Sequence, residues 1–332
     1  MGDSIGKQKK EIYSYVDSSK ENIYFGSYPQ TEIKDETLIM ELNKKAGTLP
    51  TKENTYNWID YGYYIRGKIK SYMYYIDIEL DGNKYRGVYF TQYRPYFTIA
   101  NVCIYQKDNG YNTNTTYWFK YEPIEWNILT AKNNKVLIIS DLILDSQDYY
   151  YSRLSRSVAT DYQGNTENGT IYINNYMYSH IRSWLNITFY ETAFSTLEKE
   201  IIETTEVDNS ASSTGHSSNK YSCSNTRDKM FLLSYREAKK YFSKTHYSKI
   251  HYLLDSGRLA KVSNYANCQG FFDTFFYSYW LRSPDYKSYY GCGACKVYNE
   301  MFHFDGYSAG FSACYVYHTS IGVRPACVVN LK

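Results

Sequence analysis

No stretch of this 332-residue chain approaches the roughly eighteen consecutive apolar residues that a bilayer crossing requires. Met1 to Glu21 holds no apolar segment of the kind a secretory signal needs. The expectation is a soluble chain without a membrane span, cytoplasmic or virion-associated by default, with its export route open. Charge of one sign is also missing. Against 37 basic residues stand 34 acidic ones, a net charge of +3, and the one basic cluster is Lys7 to Lys10. Such a balance gives no long-range field to gather nucleic acid, so none is expected as a partner. Seven cysteines, an odd number, are too few to staple a chain this long. There is no GxSxG, GxxxxGK[ST], HExxH or GxGxxG, the six histidines form no recognisable pair with Asp or Cys, and no repeat of solenoid period occurs. These absences weigh against an enzyme, and no cofactor or metal is expected.

Tyrosine, by contrast, is abundant. The chain has 42 tyrosines and 19% aromatic residues, far above ordinary globular usage. An AT-rich genome would enrich Tyr, Asn, Lys and Ile everywhere, and that accounts for the runs in Tyr61 to Tyr75 and Tyr149 to Tyr151. With 43% hydrophobic residues the chain can bury a sizeable core. Length alone allows two domains, but a single decorated domain over 23–332, behind a polar leader over 1–22, is the preferred reading.

Several elements are legible. Ile23 to Gln30 reads as a short strand ended by Tyr28 and Pro29. Asp35 to Gly47 has Leu38, Ile39 and Leu42 at helical spacing with a glycine stop. Tyr74 to Gln92 alternates around Asp81-Gly82, a hairpin signal. Residues 31–117 as a whole read as an insertion or a small subdomain. Pro123 to Leu144 is a second hairpin, with a polar turn over Lys132 to Asn134. Asn174 to Phe189 places Met177, Ile181, Trp184 and Leu185 on one helical face. Ser234 and Glu237 form a capping box for another helix. The Ser/Asn-rich stretch Asp208 to Asp228 reads as the mobile loop of the chain.

The C-terminal segment, residues 279–326, is two sequences interleaved. One is a skeleton: "YWLRSP" (Tyr279 to Pro284), Ala294, Val297, Gly306, Gly310, Val316 and "GVRPA" (Gly322 to Ala326). The other is a filling of Tyr, Ser, Cys, His, Asp, Phe and Gly. Randomising the first two bases of an asparagine codon yields all of these residues and never Lys, Glu, Gln, Met or Trp. Between Asp285 and Ser320 only Lys287, Lys296, Glu300 and Met301 break that rule.

The pairing of "YWLRSP" with "GVRPA", preceded by "IYFGSYPQ" (Ile23 to Gln30), "YEPIEWNIL" (Tyr121 to Leu129) and "DKMFLLSYREAKKYF" (Asp228 to Phe242), resembles the variable proteins of diversity-generating retroelements. The likeness is to their C-type-lectin-fold, formylglycine-generating-enzyme-like branch, found in bacteria and phages, and it covers most of the chain from Ile23. It implies an α+β C-type lectin-like fold with an insertion after the first strand. It also implies that the first and last strands pair, setting Ile23 to Gln30 beside Gly322 to Leu331. In such proteins a retroelement rewrites the 3′ end of the gene at adenines, so the filling positions are implied to be diversified ligand contacts.

The residue chemistry agrees with a binding surface. Tyrosine gives a large rigid contact area with two torsions to freeze, while Ser, Gly, Asn and Asp adapt their hydrogen bonds. The expected ligand-binding residues are Tyr286, Ser288, Tyr289, Tyr290, Tyr298, Asn299, Phe302, His303, Tyr307, Ser308, Phe311, Ser312, Tyr315, Tyr317 and His318. About two thirds of the aromatic positions should face solvent, the rest packing as strand aromatics. The expected partner is an unidentified protein or other macromolecule. Trp280, Arg282, Gly322 and Arg324 are expected as scaffold; the arginines could instead bind an anion, but locking loop ends is favoured.

Alternatives stay open. Cys292 and Cys295 form a CxxC that could be half a zinc site, a redox pair or a chance product of variation. Cys292, Cys295 and Cys314 could serve a formylglycine-generating type of oxygen-dependent enzyme, and a phage or cell-surface attachment protein is a third reading. The acidic "EPI" and "EWN" triplets at Glu122 to Asn127 are better read as strand entry than as a calcium-lectin motif.

Overall fold

Apolar alternation in the N-terminal half and in the C-terminal segment resolves into twelve principal strands. In chain order they are β1 (Asn22–Glu32), β2 (Ile59–Asp60), β3 (Met73–Leu80), β4 (Asn83–Phe90), β5 (Thr116–Lys132), β6 (Lys135–Ser140) and β7 (Asp145–Ser146). The others are β8 (Tyr279–Pro284), β9 (Gly293–Phe302), β10 (Gly306–Tyr315), β11 (Gly322–Val323) and β12 (Ala326–Asn330). The computed structural model describes residues 22–65, 68–69, 72–94, 105–242, 258–272, 278–302 and 306–330. The predicted leader therefore lies outside the described residues except for Asn22. The fold is mixed α+β, mostly sheet with a few short helices.

The strands form a seven-stranded sheet in the order β12-β6-β5-β4-β3-β2, with β1 on the free edge of β5, and a five-stranded sheet in the order β10-β9-β8-β11-β7. The 17-residue β5 is the spine of the first. Trp126 pairs with Ile23 on one edge and Ser140 on the other, and Phe119 pairs with Glu32 on one edge and Arg86 on the other. β6 and β4 thus follow each other along one edge of β5 while β1 covers the opposite edge.

This arrangement corrects two sequence expectations. β1 does not stop at Tyr28-Pro29 but runs on to Glu32, with Pro29 still in register against Tyr121. β1 and β12 do not pair. The tight turn at Asn133-Asn134, both left-handed at φ 52° and 63°, returns β6 directly onto β5, and β12 then takes the free edge of β6, with Val328 opposite Leu137. The end strands share a sheet with two strands between them.

The segment read as an insertion extends that sheet. The β3–β4 hairpin turns at Asp81-Gly82 as its sequence predicts, and Gly87 of β4 pairs with Trp118 of β5. Helix α1 (Glu36–Ala46) is capped by Asp35, whose carboxylate accepts from Leu38 N at 2.9 Å. It buries Leu42 with Trp58, Tyr74, Ile76 and Trp118 in a separate small core. The segment has its own apolar cluster and yet is hydrogen-bonded into the main sheet.

The predicted helix over Asn174 to Phe189 starts later, because Ser179 caps it. α2 (His180–Trp184) passes through a π turn at Leu185–Phe189, burying Ile181, Trp184 and Leu185 but leaving Met177 outside it. α3 (Tyr235–Tyr241) has the Ser234/Glu237 capping box its sequence predicts. Asp208 to Asp228 is not a loose loop. Asn209, Ser213, Thr214 and Asn219 are buried, and the Asn219 and Asn209 amides supply the hydrogen bonds that a ladder would otherwise give. No helix of the described residues is long and apolar enough to cross a membrane.

Candidate functional site

β8 is buried at every position from Tyr279 to Pro284. Trp280 donates its indole N–H to the Gln147 carbonyl at 2.8 Å, and the Tyr149 hydroxyl donates to the Arg282 carbonyl at 2.7 Å. Beyond Pro284 the chain leaves the core and returns at Gly293 as the β9–β10 hairpin. Residues distant in sequence hold this excursion, and they do so through its main chain. Asn219 Nδ2 donates to the Pro284 carbonyl at 3.0 Å and the Tyr221 hydroxyl to the Ser288 carbonyl at 2.8 Å. Asn174 donates from its backbone to the Gly291 carbonyl at 3.1 Å and from its side chain to the Gly293 carbonyl at 2.8 Å. The hairpin pairs without a register break from Gly293↔Tyr315 to Phe302↔Gly306. A carbonyl is present whatever the residue type, so this path tolerates changes in the side chains it carries.

Two positions are restricted. Gly291 has φ +66°, and a Cβ there would meet the Tyr172 ring at 2.8 Å, so only glycine fits. Ser288 Oγ accepts from Gly293 N at 2.6 Å, which makes Ser288 a clasp for the loop rather than the free contact its sequence predicts.

The predicted ligand residues divide by environment. Tyr286, Tyr290, Ser312 and Tyr315 are exposed, with Tyr290 at 76% and Tyr315 at 51% of their full accessibility. Tyr315 lies parallel to Tyr317 with ring centroids 5.3 Å apart. Phe311 is half-buried in the core cluster around α3, its ring 4.6 Å from Tyr235 and under the Arg258 guanidinium at 4.8 Å. It is a strand aromatic turned inward, against the expectation of an outward one, because strand alternation sends it to the same layer as its partner Val297. Tyr317 is half-buried beneath Arg153 at 4.5 Å, and His318 is half-buried beside both tyrosine rings. Of the six predicted aromatic or histidine positions whose side chains are described, three are exposed. Tyr289, Tyr298, Asn299, Phe302, Tyr307 and Ser308 have backbone places on the loop and hairpin, but their side chains lie outside the described residues. His303 lies outside them altogether.

The scaffold positions are core. Arg282 donates to the Leu232 carbonyl at 2.7 Å, to the Asp208 carbonyl at 2.9 Å and to both Glu237 oxygens, at 2.5 and 3.0 Å. Burial disfavours the Glu237 carboxylate, yet Arg282 outweighs it and holds its pKa below the usual range. Arg324 donates to the Ser140 carbonyl at 2.7 Å and is buried. A Cβ on Gly322 would meet Ile143 at 2.4 Å and the Ser278 carbonyl at 3.0 Å.

The CxxC does not converge. Cys292 ends the 3-10 turn ahead of β9 and packs on the core cluster between the sheets, whereas Cys295 lies on β9 and packs on the cluster around α3. Burial pushes the Cys295 thiol up to about 12. Among the described residues no group of three His, Cys, Asp or Glu side chains could hold a metal ion, and the six cysteines are free thiols.

Sequence reasoning missed the residues that flank the candidate surface. The His216 ring stacks on Tyr286 with centroids 3.3 Å apart, Arg153 covers Tyr317, and Tyr172 meets Tyr221 edge-on at 4.8 Å. The density of Ser and Asn in Asp208 to Asp228, which reads as a sign of mobility in the sequence, supplies the amides that fasten other segments.

Residues 133–331, more than half of the chain, match the family described as a domain of unknown function, DUF6273. The chain belongs to this family. The DUF6273 segment begins at the Asn133-Asn134 turn, so it takes in β6 to β12 and every residue of the candidate site, and leaves β1 to β5 outside. No curated protein and no solved structure is significantly similar to the chain.

Proposed function

We propose that this protein is a ligand-binding protein that displays a variable, tyrosine-rich surface on a C-type lectin-like scaffold of the formylglycine-generating-enzyme-like branch, diversified by a retroelement. The observation that carries the reading is the way the loop after Pro284 is held. Asn174, Asn219 and Tyr221 grip four carbonyls between Pro284 and Gly293, while Tyr286 and Tyr290 on the same stretch face solvent. A paratope needs rigid aromatic anchors on a backbone whose shape does not depend on them. This loop meets both needs, and Tyr315 on β10 adds a third exposed ring. The ligand is a protein or other macromolecule met through that patch, without catalysis.

The deciding experiment is to sequence the DNA around the gene. A reverse transcriptase gene and a near-copy of the 3′ end, differing from it only where the copy carries adenine, are expected. A locus with neither removes the diversification from the proposal. A natural set of sibling genes whose differences spare Gly291, Asn174, Asn219 and Tyr221 would support the held-backbone reading independently.

A further inference from the structure

The four segments that border the candidate surface, 149–160, 209–222, 284–293 and 313–322, carry four basic residues and one acidic one, in a chain whose totals are nearly equal. They meet where the Tyr221 hydroxyl donates to the Ser288 carbonyl, where Val316 N donates to the Cys292 carbonyl, and where Arg153 covers Tyr317. Arg156 is turned away, half-buried over the Tyr150 ring and donating to the Tyr178 carbonyl at 3.1 Å. Arg153, Lys220 and Lys287 are exposed. The one acid, Asp285, is half-buried, and its carboxylate accepts from Lys287 N at 3.2 Å within the turn.

Each of the three exposed cations lies over a tyrosine ring. Arg153 is 4.5 Å above Tyr317, Lys220 is 5.1 Å from Tyr221, and Lys287 is 5.5 Å from Tyr286. Elsewhere on the molecule exposed lysines meet carboxylates, as Lys34 does Glu32 and Lys135 does Glu203. Among the described residues no carboxylate is within ion-pair distance of Lys220 or Lys287. The difference has a consequence for binding. A carboxylate neutralises the cation it restrains, whereas a ring attracts it through a quadrupole that carries no net charge. A cation resting on a ring has already lost part of its side-chain freedom and still presents its full charge to an incoming anion.

We propose that this surface takes an acidic protein segment, whose carboxylates meet Lys220, Lys287 and Arg153 while its backbone and side chains pack on the tyrosines between them. The inference rests on the binding surface proposed above, and it is independent of how that surface is diversified. The rings favour a peptide over a stacked sugar. His216 and Lys287 engage Tyr286, and Arg153 and Tyr315 engage Tyr317, so edges and hydroxyls rather than open faces meet the ligand. Three cations on a chain of net charge +3 are too few to neutralise a nucleic-acid backbone.

The test measures binding of the full chain to fluorescently labelled poly-L-glutamate, poly-L-lysine and polygalacturonate by anisotropy at low ionic strength, where exposed charges act at full reach. Saturable binding of polyglutamate is expected, with none of polylysine and weaker binding of polygalacturonate, which presents the same carboxylates on sugars. Lys220→Gln with Lys287→Gln should weaken polyglutamate about tenfold. Both positions are exposed, so the fold is retained. Lys34→Gln with Lys44→Gln, beside and on α1, removes the same charge from another exposed region and should change the affinity by less than about twofold. Absence of polyglutamate binding overturns the proposal, and so does an equal loss in the two double variants, which would make net charge the only cause. Polygalacturonate bound as tightly as polyglutamate overturns the choice of a protein partner. A locus without a reverse transcriptase leaves all of these outcomes unchanged, so failure of the diversification and failure of the acidic partner are read separately.

Discussion

Asn219 Nδ2 donates to the Pro284 carbonyl across 65 residues, joining a serine-rich loop to the point where the β8–β9 excursion leaves the core. The same amide donates to Thr214 Oγ1 at 3.1 Å, and Asn219 Oδ1 accepts from Tyr221 N at 3.0 Å. Asn219→Ala removes all three bonds and strands buried partners, which should cost about 1–3 kcal/mol. Urea titration with an unchanged m-value would establish that cost. A loss under 0.5 kcal/mol, within the ordinary range of surface changes, would mean that the loop is held by something else.

Tyr286, Tyr290 and Tyr315 face solvent, so replacing all three by serine should leave stability within about 0.5 kcal/mol per site of wild type. Phe311→Ser, by contrast, should lose about 2–4 kcal/mol, because its ring packs on Tyr235 and the core around α3. Thermal melts of the two variants side by side separate display from packing. Equal losses would show that the exposed rings are structural.

Arg282→Lys keeps the charge but cannot reach the Leu232 and Asp208 carbonyls and Glu237 together from one head group. A loss of about 2–4 kcal/mol is expected. If Arg282 were an anion site instead, the wild-type protein would gain stability with added phosphate while the lysine variant lost little.

His180 Nδ1 is 3.1 Å from Asp148, which also has Arg94 at 3.6 Å. Burial opposes the imidazolium, but Asp148 outweighs it and raises the His180 pKa; burial likewise opposes the carboxylate, and His180 with Arg94 lowers the Asp148 pKa. A raised histidine stabilises fully below its ordinary value of about 6.5 and loses that contribution as pH rises through its folded value. A lowered aspartate stabilises above about 3.9 and loses its contribution as pH falls through its folded value. Stability from the pair should therefore peak between these limits. Melting temperatures from pH 6 to 9 should fall more steeply for wild type than for His180→Gln; parallel curves would show that the pair does not titrate in this range.

Local features were readable from the chain itself. Asp35, Ser234 with Glu237, Asp81-Gly82 and Asn133-Asn134 act through hydrogen bonds and dihedral preferences within a few residues, and each appears where its sequence places it. Ser179 is equally local, yet the apolar spacing of Met177 masks it and extends the apparent helix toward Asn174. The burial of Trp280, Val297, Val316 and Val323 was legible too, since their apolar character places them in the core, where all four are completely buried. The pairing of β1 with β5 rather than β12 was not legible, because an antiparallel edge accepts any extended segment with a matching apolar face.

Composition, turn chemistry and apolar period thus determined the hairpins at Asp81-Gly82 and Asn133-Asn134, the helices after Asp35 and Ser234, and a tyrosine-rich C-terminal segment framed by apolar residues. The tertiary structure alone decided which edge each strand took. It also turned Phe311 inward while leaving Tyr315 outside, and brought Asn174, Asn219 and Tyr221 to the carbonyls of a loop more than sixty residues away. A carbonyl carries no residue identity, so bonds to it leave no trace in the sequence of the loop they hold, and only the assembled neighbours reveal them.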